Sequence, residues 1–173
     1  MNAVDSRTKY NLSTKLVWHR TLEEFDGFFK CLKMAVGKQI HEVFEAERYK
    51  PPEERKLITF VSDKLWQYRT SFNRYFYRIA RLVFGVPIAC KEYGLRYNNN
   101  PIERHNQDIK QRYKVMRHFK SFASAEAFLD LRRVIYNFVR THQGLERIPA
   151  EAAGIDLGLG RNRLLDLIKI CSS

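Results

Sequence analysis

The sequence predicts an α/β fold of the mixed α+β kind, with a mixed sheet flanked by helices, and three observations predict it. Short runs rich in strand formers alternate with longer runs whose apolar residues recur at helical spacing. The resulting order, hairpin, helix, strand, helix, strand, helix, helix, suits a sheet covered by helices. The chain has 173 residues, 45% hydrophobic and 29% charged, enough for one substantial core but too few for two ordinary domains and a linker. Low-complexity runs and internal repeats are absent, which excludes disordered and solenoid classes.

Taken in chain order, Asn2 to Trp18 reads as a hairpin. A short strand reaches Val4, Asp5-Ser6-Arg7-Thr8 turns, and Tyr10, Leu12, Thr14, Leu16 and Trp18 occupy alternate positions, predicting one largely apolar face. Thr21 followed by Glu24 has capping-box spacing, and Leu22, Phe25, Phe29, Leu32 and Val36 predict an amphipathic helix of about four turns ending at Gly37. Residues 38–50 are charged and undecided in form, and Pro51-Pro52 breaks the chain.

Leu57 to Ser62 predicts a buried strand with Asp63 at its C-terminal end. Helical spacing runs from Leu65 through Phe72 and Phe76 to Val83, with Gly85 as the stop, and Val86 to Cys90 is the next candidate strand. Asn100 and Pro101 are helix-start signals, predicting a helix to about His118. A further helix follows Ser124, with Phe128, Leu131, Ile135 and Phe138 turned to the core until His142 and Gly144 close it. A Pro149–Ala153 turn and a last helix over Leu164–Ile170 complete the chain.

Charge narrows the partners. There are 31 Lys and Arg against 19 Asp and Glu, a net +12 and a pI near 9.8. Between Lys64 and Lys120 lie 13 basic residues against Glu92, Glu103 and Asp108, so 13 − 3 puts +10 in one third of the chain. A polyanion such as a nucleic acid is the natural partner, although well-solvated basic helices would give the same count. No apolar run reaches the roughly 18 residues of a membrane span, and no signal segment follows Met1, so a cytoplasmic protein without a membrane partner is expected. Cys31, Cys90 and Cys171 lack the spacing of a disulfide framework or zinc ribbon, and the five histidines show no zinc spacing. No RNA-recognition motif is present either.

On the helix opening at Pro101, Ile102, Ile109, Tyr113 and Met116 share one side and form the expected core stripe. Glu103, Asn106, Gln107, Lys110, Lys114 and Arg117 form a separate polar face. A carboxylate leading a line of amide and cationic groups suits phosphate chemistry, in which acids hold Mg²⁺ and cations grip a nucleic-acid backbone. Residue physics leaves two roles open for Glu103, since Asn100-x-x-Glu103 also has capping-box spacing. Asp63 is open in the same way, as metal ligand or as turn residue.

The run Tyr97-Asn98-Asn99-Asn100-Pro101-Ile102-Glu103-Arg104-His105-Asn106, continued by Lys110, Arg112, Lys114-Val115-Met116-Arg117 and Phe119-Lys120-Ser121, resembles the C-terminal signature of DDE transposases from prokaryotic insertion sequences. Tyr136-Asn137-Phe138-Val139-Arg140, His142 and Pro149-Ala150-Glu151-Ala152-Ala153-Gly154 extend the resemblance. It implies an RNase H-like fold related to retroviral integrases and metal-dependent DNA cleavage and strand transfer, with Mg²⁺ or Mn²⁺ as cofactor. Val61-Ser62-Asp63 with Tyr68 is similar to the family's second acidic motif, and Glu103 to its final acid. Asp63 and Glu103 are then the catalytic and metal-binding carboxylates, and Lys110, Lys114 and Arg117 the DNA contacts. Residues 1–145 would be the catalytic domain and 146–173 a C-terminal helical tail.

The resemblance also implies a gap. Asn2-Ala3-Val4-Asp5-Ser6-Arg7-Thr8 looks like the Val-Asp-x-x-Ser/Thr-like turn that a later strand of the family carries, so Asp5 reads as a turn former and not as the first catalytic acid. The expectation is an N-terminally truncated transposase lacking its first strand. Its partners would be insertion-sequence ends, target DNA and either a second copy or an intact transposase. The alternative is a non-enzymatic DNA-binding remnant or regulator of an intact transposase.

Overall fold

The computed structural model describes residues 1–85, 100–115 and 119–172. The predicted strand Val86–Cys90 and the side chains of Met116 and Arg117 lie outside them. The chain resolves into two compact units, one of Met1 with Val17–Asn106, the other of Asn2–Leu16 with Gln107–Ser173. Helices with small sheets, one parallel and one antiparallel, give the mixed α+β class that the periodicities predict.

The first unit is built on α1 (Leu22–Glu47), β3 (Thr59–Ser62), α2 (Trp66–Phe76) and β4 (Arg81–Phe84). Thr21 caps α1 as its spacing predicts: its backbone is extended and its hydroxyl accepts the Glu24 N–H at 3.4 Å. The helix does not end at Gly37. It runs 26 residues, because Ile40 is buried beyond the glycine and exposed pairs such as Lys38–Glu42 and His41–Glu45 support the outer turns. An interior glycine costs about 1 kcal/mol, less than burying an isoleucine returns. The helix stops short of Pro51, where the Arg55 guanidinium donates to the Arg48 and Lys50 carbonyls, each at 2.8 Å.

Phenylalanines fill the space between these elements. Phe60 of β3 lies 5.4 Å from Phe72 and 5.1 Å from Phe76 between ring centres, and Phe29 of α1 lies 6.2 Å from Phe76. Phe25, Phe28, Phe29, Phe72 and Phe76 are all buried. One polar clasp joins the two helices: the Ser71 hydroxyl donates to Asp26 at 2.6 Å, and Arg74 pairs with the same carboxylate.

Helical spacing carried past Phe76 in the sequence, yet α2 stops there. Arg78 takes a left-handed backbone, φ 65°, and Arg81–Phe84 forms a strand. Leu82, Val83 and Phe84 fit a pleated surface better than a helix, and pairing with β3 decides the matter. The pairing is parallel, Phe60 opposite Leu82 and Val61 opposite Val83, so both strands end at the same edge. Asp63 follows one strand end and Gly85 the other, with the Gly85 N–H donating to the Ser62 carbonyl at 3.0 Å.

In the second unit β1 (Asn2–Val4) and β2 (Asn11–Thr14) form the predicted antiparallel hairpin, but its apolar face is not the buried one. Asn11 and Ser13 are buried, while Leu12 and Thr14 are half-buried. The cause is Asn137, whose side chain accepts the Asn11 N–H at 2.8 Å and donates to the Asn11 carbonyl at 3.0 Å. An amide group thus satisfies a buried strand edge as a neighbouring strand would. Asn137 sits in a π-helical turn, Ile135–Val139, that continues α4 (Phe122–Val134). The wider turn shifts the register, so Tyr136 and Asn137 are buried and the predicted core residue Leu131 is exposed. Beyond it, α5 (Pro149–Ala152) begins with Pro at its first position, and α6 (Arg163–Ser172) closes the unit.

Phe76→Ala removes a fully buried ring shared by both helices and β3. It should destabilise this unit by about 3–5 kcal/mol, read from urea unfolding followed by circular dichroism.

Candidate active site at the end of the parallel strand pair

Asp63 is positioned by the core beneath it. β3 is anchored through Phe60, and the strand's last residue hands the chain to an exposed turn in which the Asp63 carboxylate accepts the Leu65 N–H at 3.4 Å. Strand C-terminal ends are where ligand sites form in open α/β sheets. Lys64 lies over Gly85, its side chain 3.5 Å from the place a Cβ would occupy there. The Gly85 backbone is left-handed, φ 82°, so a larger residue at this strand end would meet both strain and Lys64.

Tyr68 ties this turn to the core. Its ring stacks edge-on against Phe25 at 4.7 Å. Burial pushes its hydroxyl pKa above the ordinary tyrosine value, and the Asp63 charge adds to that rise while Arg20 opposes it. The phenol therefore stays protonated in the field of both groups. Arg20 is held by its backbone, whose carbonyl accepts the Gln67 side-chain N–H at 3.0 Å. Helical periodicity could not reveal this link, because the two residues lie 47 positions apart and belong to different elements.

Glu103 is half-buried in the first turn of α3 (Asn100–Val115) and belongs to the same compact unit as Asp63. Pro101 falls in that first turn, as the start signals predict. The core stripe expected on α3 is only partly realised. Ile102 and Ile109 are half-buried and Tyr113 is exposed, while His105 is the buried residue. Among the described residues neither Asp63 nor Glu103 takes part in an ion pair, and no group of three or more His, Cys, Asp or Glu could hold a metal ion. The two carboxylates are hard oxygen donors of the kind Mg²⁺ prefers, but they are two where a closed site needs more ligands.

The later part of α3 belongs to the second unit and presents Lys110 and Lys114 to solvent. Its attitude is fixed by Asp108, which pairs with Arg132 of α4 and with Arg140 at 2.6 Å. Tyr113 stacks on Phe119 at 5.4 Å, and Phe119 packs on Phe128 of α4 at 5.2 Å. Burial disfavours the ionised form of Asp108, but the hydrogen bonds and charges of Arg140 and Arg132 outweigh it and hold the carboxyl below the usual aspartate range. Asp5, by contrast, is spent on its own turn: it accepts the Arg7 and Thr8 N–H groups at 3.1 and 3.2 Å and the Thr8 hydroxyl at 2.5 Å. That is the turn-forming role its sequence context predicts.

Residues 85–149 match the family model of the integrase core domain. The matched stretch contains Glu103, Lys110, Lys114 and the Tyr136–Arg140 segment, and begins directly after the strand pair that carries Asp63. No curated protein and no solved structure matches the chain. Integrase-type domains use divalent metals and act on DNA. No helix among the described residues is long and apolar enough to cross a membrane.

The Asp108 knot makes a pH-dependent prediction. The folded carboxyl holds its proton less tightly than the unfolded one, so its ionisation adds stability that is complete above the ordinary value of about 3.9. That stability is lost as the pH falls through the depressed folded value. Asp108→Asn should cost about 1–3 kcal/mol at neutral pH, and its deficit against the parent should shrink as the pH is lowered from about 5 to 2 in paired urea titrations.

Proposed function

Because the chain carries an integrase core domain over residues 85–149, of the RNase H-like kind found in DDE integrases and transposases, we propose that it is a DNA transposase of prokaryotic insertion sequences. Its reaction is metal-dependent cleavage and strand transfer. The observation that carries this reading is the placing of two carboxylates in one unit, Asp63 at the end of a parallel strand and Glu103 in the opening turn of the matched helix.

In this reading Asp63 and Glu103 hold Mg²⁺ or Mn²⁺. Such an ion, when bound, polarises the phosphoryl oxygens and steadies the charge that develops at the leaving oxygen. The protein's own part is positional. The phenylalanine core keeps Asp63 at the strand end, the Asp63 turn leaves the carboxylate open to solvent, and Glu103 stands in the first turn of α3. Lys110 and Lys114, exposed on α3, and Arg117 then neutralise backbone phosphates. The domain runs over residues 1–145, with 146–173 as a helical tail.

A second reading, a DNA-binding protein without turnover that occupies element ends or pairs with an intact transposase, has one specific support. Among the described residues no group of three or more His, Cys, Asp or Glu could hold a metal ion. A strand-transfer assay with Mg²⁺ or Mn²⁺ separates the two. The enzyme reading expects product from the parent chain, reduced more than about 100-fold in both Asp63→Ala and Glu103→Ala, beyond what outer-shell changes usually cost. Binding without product in the parent chain would establish the second reading instead.

Lys110→Ala with Lys114→Ala should weaken duplex binding about equally for all sequences. It should also flatten the log K against log salt slope by about 1 per lysine, measured by fluorescence anisotropy between roughly 50 and 200 mM salt. An unchanged slope would remove these lysines from the interface.

A further inference from the structure

The chain has two tryptophans, Trp18 and Trp66, and both stand on the surface, 73% and 57% exposed. Indole rings are usually among the most extensively buried side chains, since they carry a large apolar area. These two are carried by segments tied to each other. The Gln67 side chain, one residue beyond Trp66, donates to the carbonyl of Arg20, two residues beyond Trp18. The Trp66 segment adjoins Asp63, which precedes Trp66 by three residues and accepts a hydrogen bond from Leu65. Burial raises the Tyr68 hydroxyl pKa, and the charges of Asp63 and Arg20 act on that hydroxyl in opposite senses.

From this juxtaposition we propose that Trp66 and Trp18, with Arg20, form a stacking surface for unpaired bases of a DNA strand that reaches Asp63. The proposal rests on the reading of Asp63 as part of a DNA-processing site. Base pairs inside a duplex have both faces covered by their neighbours, so an indole can take up only bases that have left the stack or never entered one. Exposed aromatic rings beside cations are the composition of such platforms, because every base offers a π face and every nucleotide a phosphate. Arg20, Lys64 and Arg69 are exposed on the same two segments. The first turn of α2 carries no acid of its own, and the one carboxylate at that helix end is Asp63, which accepts the Leu65 N–H. The nearest acids on the other segment, Glu23 and Glu24, belong to the first turn of α1, where they complement that helix's own dipole. Exposed cations on both segments suit a phosphate-bearing strand better than an apolar protein partner, and no apolar groove is needed to take a flat base.

The test uses the full chain and its own fluorescence, which comes from these two indoles. Oligothymidylate of about 12 nucleotides should quench the emission, and Trp66→Ala should weaken single-strand affinity about 5- to 100-fold while leaving affinity for a duplex of equal length within about twofold. Trp66→Phe should restore part of the loss, and Arg20→Ala should flatten the single-strand salt slope by about 1. Because both rings are exposed, each variant should keep the parent's circular dichroism spectrum. Single-strand binding without quenching, or a Trp66→Ala variant that binds single strands as the parent does, overturns the stacking surface and leaves the DNA reading standing. If the parent chain binds neither single strands nor duplex, both fall.

Discussion

The candidate site depends on the packing of Phe60 against Phe72 and Phe76. A four-residue strand has too few hydrogen bonds to hold its own position, and β3 has only β4 as partner among the described residues. Its place is set by the ring on its inner face, clamped between two rings of α2 that are themselves backed by Phe29 of α1. With Phe60 fixed, the alternation of the strand fixes Val61 and Ser62, and the chain must leave the strand at Asp63. A carboxylate that would be one mobile acid among many in a loop becomes an acid at a defined point in space.

The same logic places Tyr68. It lies in the first turns of α2, so its ring is drawn into the cluster with Phe25 and Phe29 while its hydroxyl stays within the fields of Asp63 and Arg20. Core and site are therefore joined by one side chain. In the second unit a polar group has the corresponding duty: Asn137 satisfies both backbone groups of Asn11, and the π-helical turn gives it the reach to do so. Asp108, paired with two arginines, then fixes how α3 presents Lys110 and Lys114.

Much of this was legible in the residues. The Thr21 cap, the Asp5 turn, the strand before Asp63, the Pro101 helix start and the Pro149 turn are local features, set by side chains that bond their own backbone or by fixed proline angles. The misreadings share one cause. Gly37 looked like a helix end, Arg81–Phe84 like the tail of a helix, and the Tyr10–Trp18 alternation marked an apolar face that is not the buried one. In each case a contact distant in sequence prevailed: the burial of Ile40, the pairing with β3, and the hydrogen bonds of Asn137.

What the sequence alone determined was the α+β class and the basic character of the Lys64–Lys120 stretch, because composition and periodicity are properties of the chain itself. What only the tertiary structure decided was which edge the strand ends share, which residues surround Asp63, and which side chains spend their hydrogen bonds on the fold. Asp5 and Asp63 both follow strands in the sequence, yet one carboxylate is consumed by its turn and the other is left largely open. That difference arises from backbone geometry and packing, which residue types constrain but do not specify.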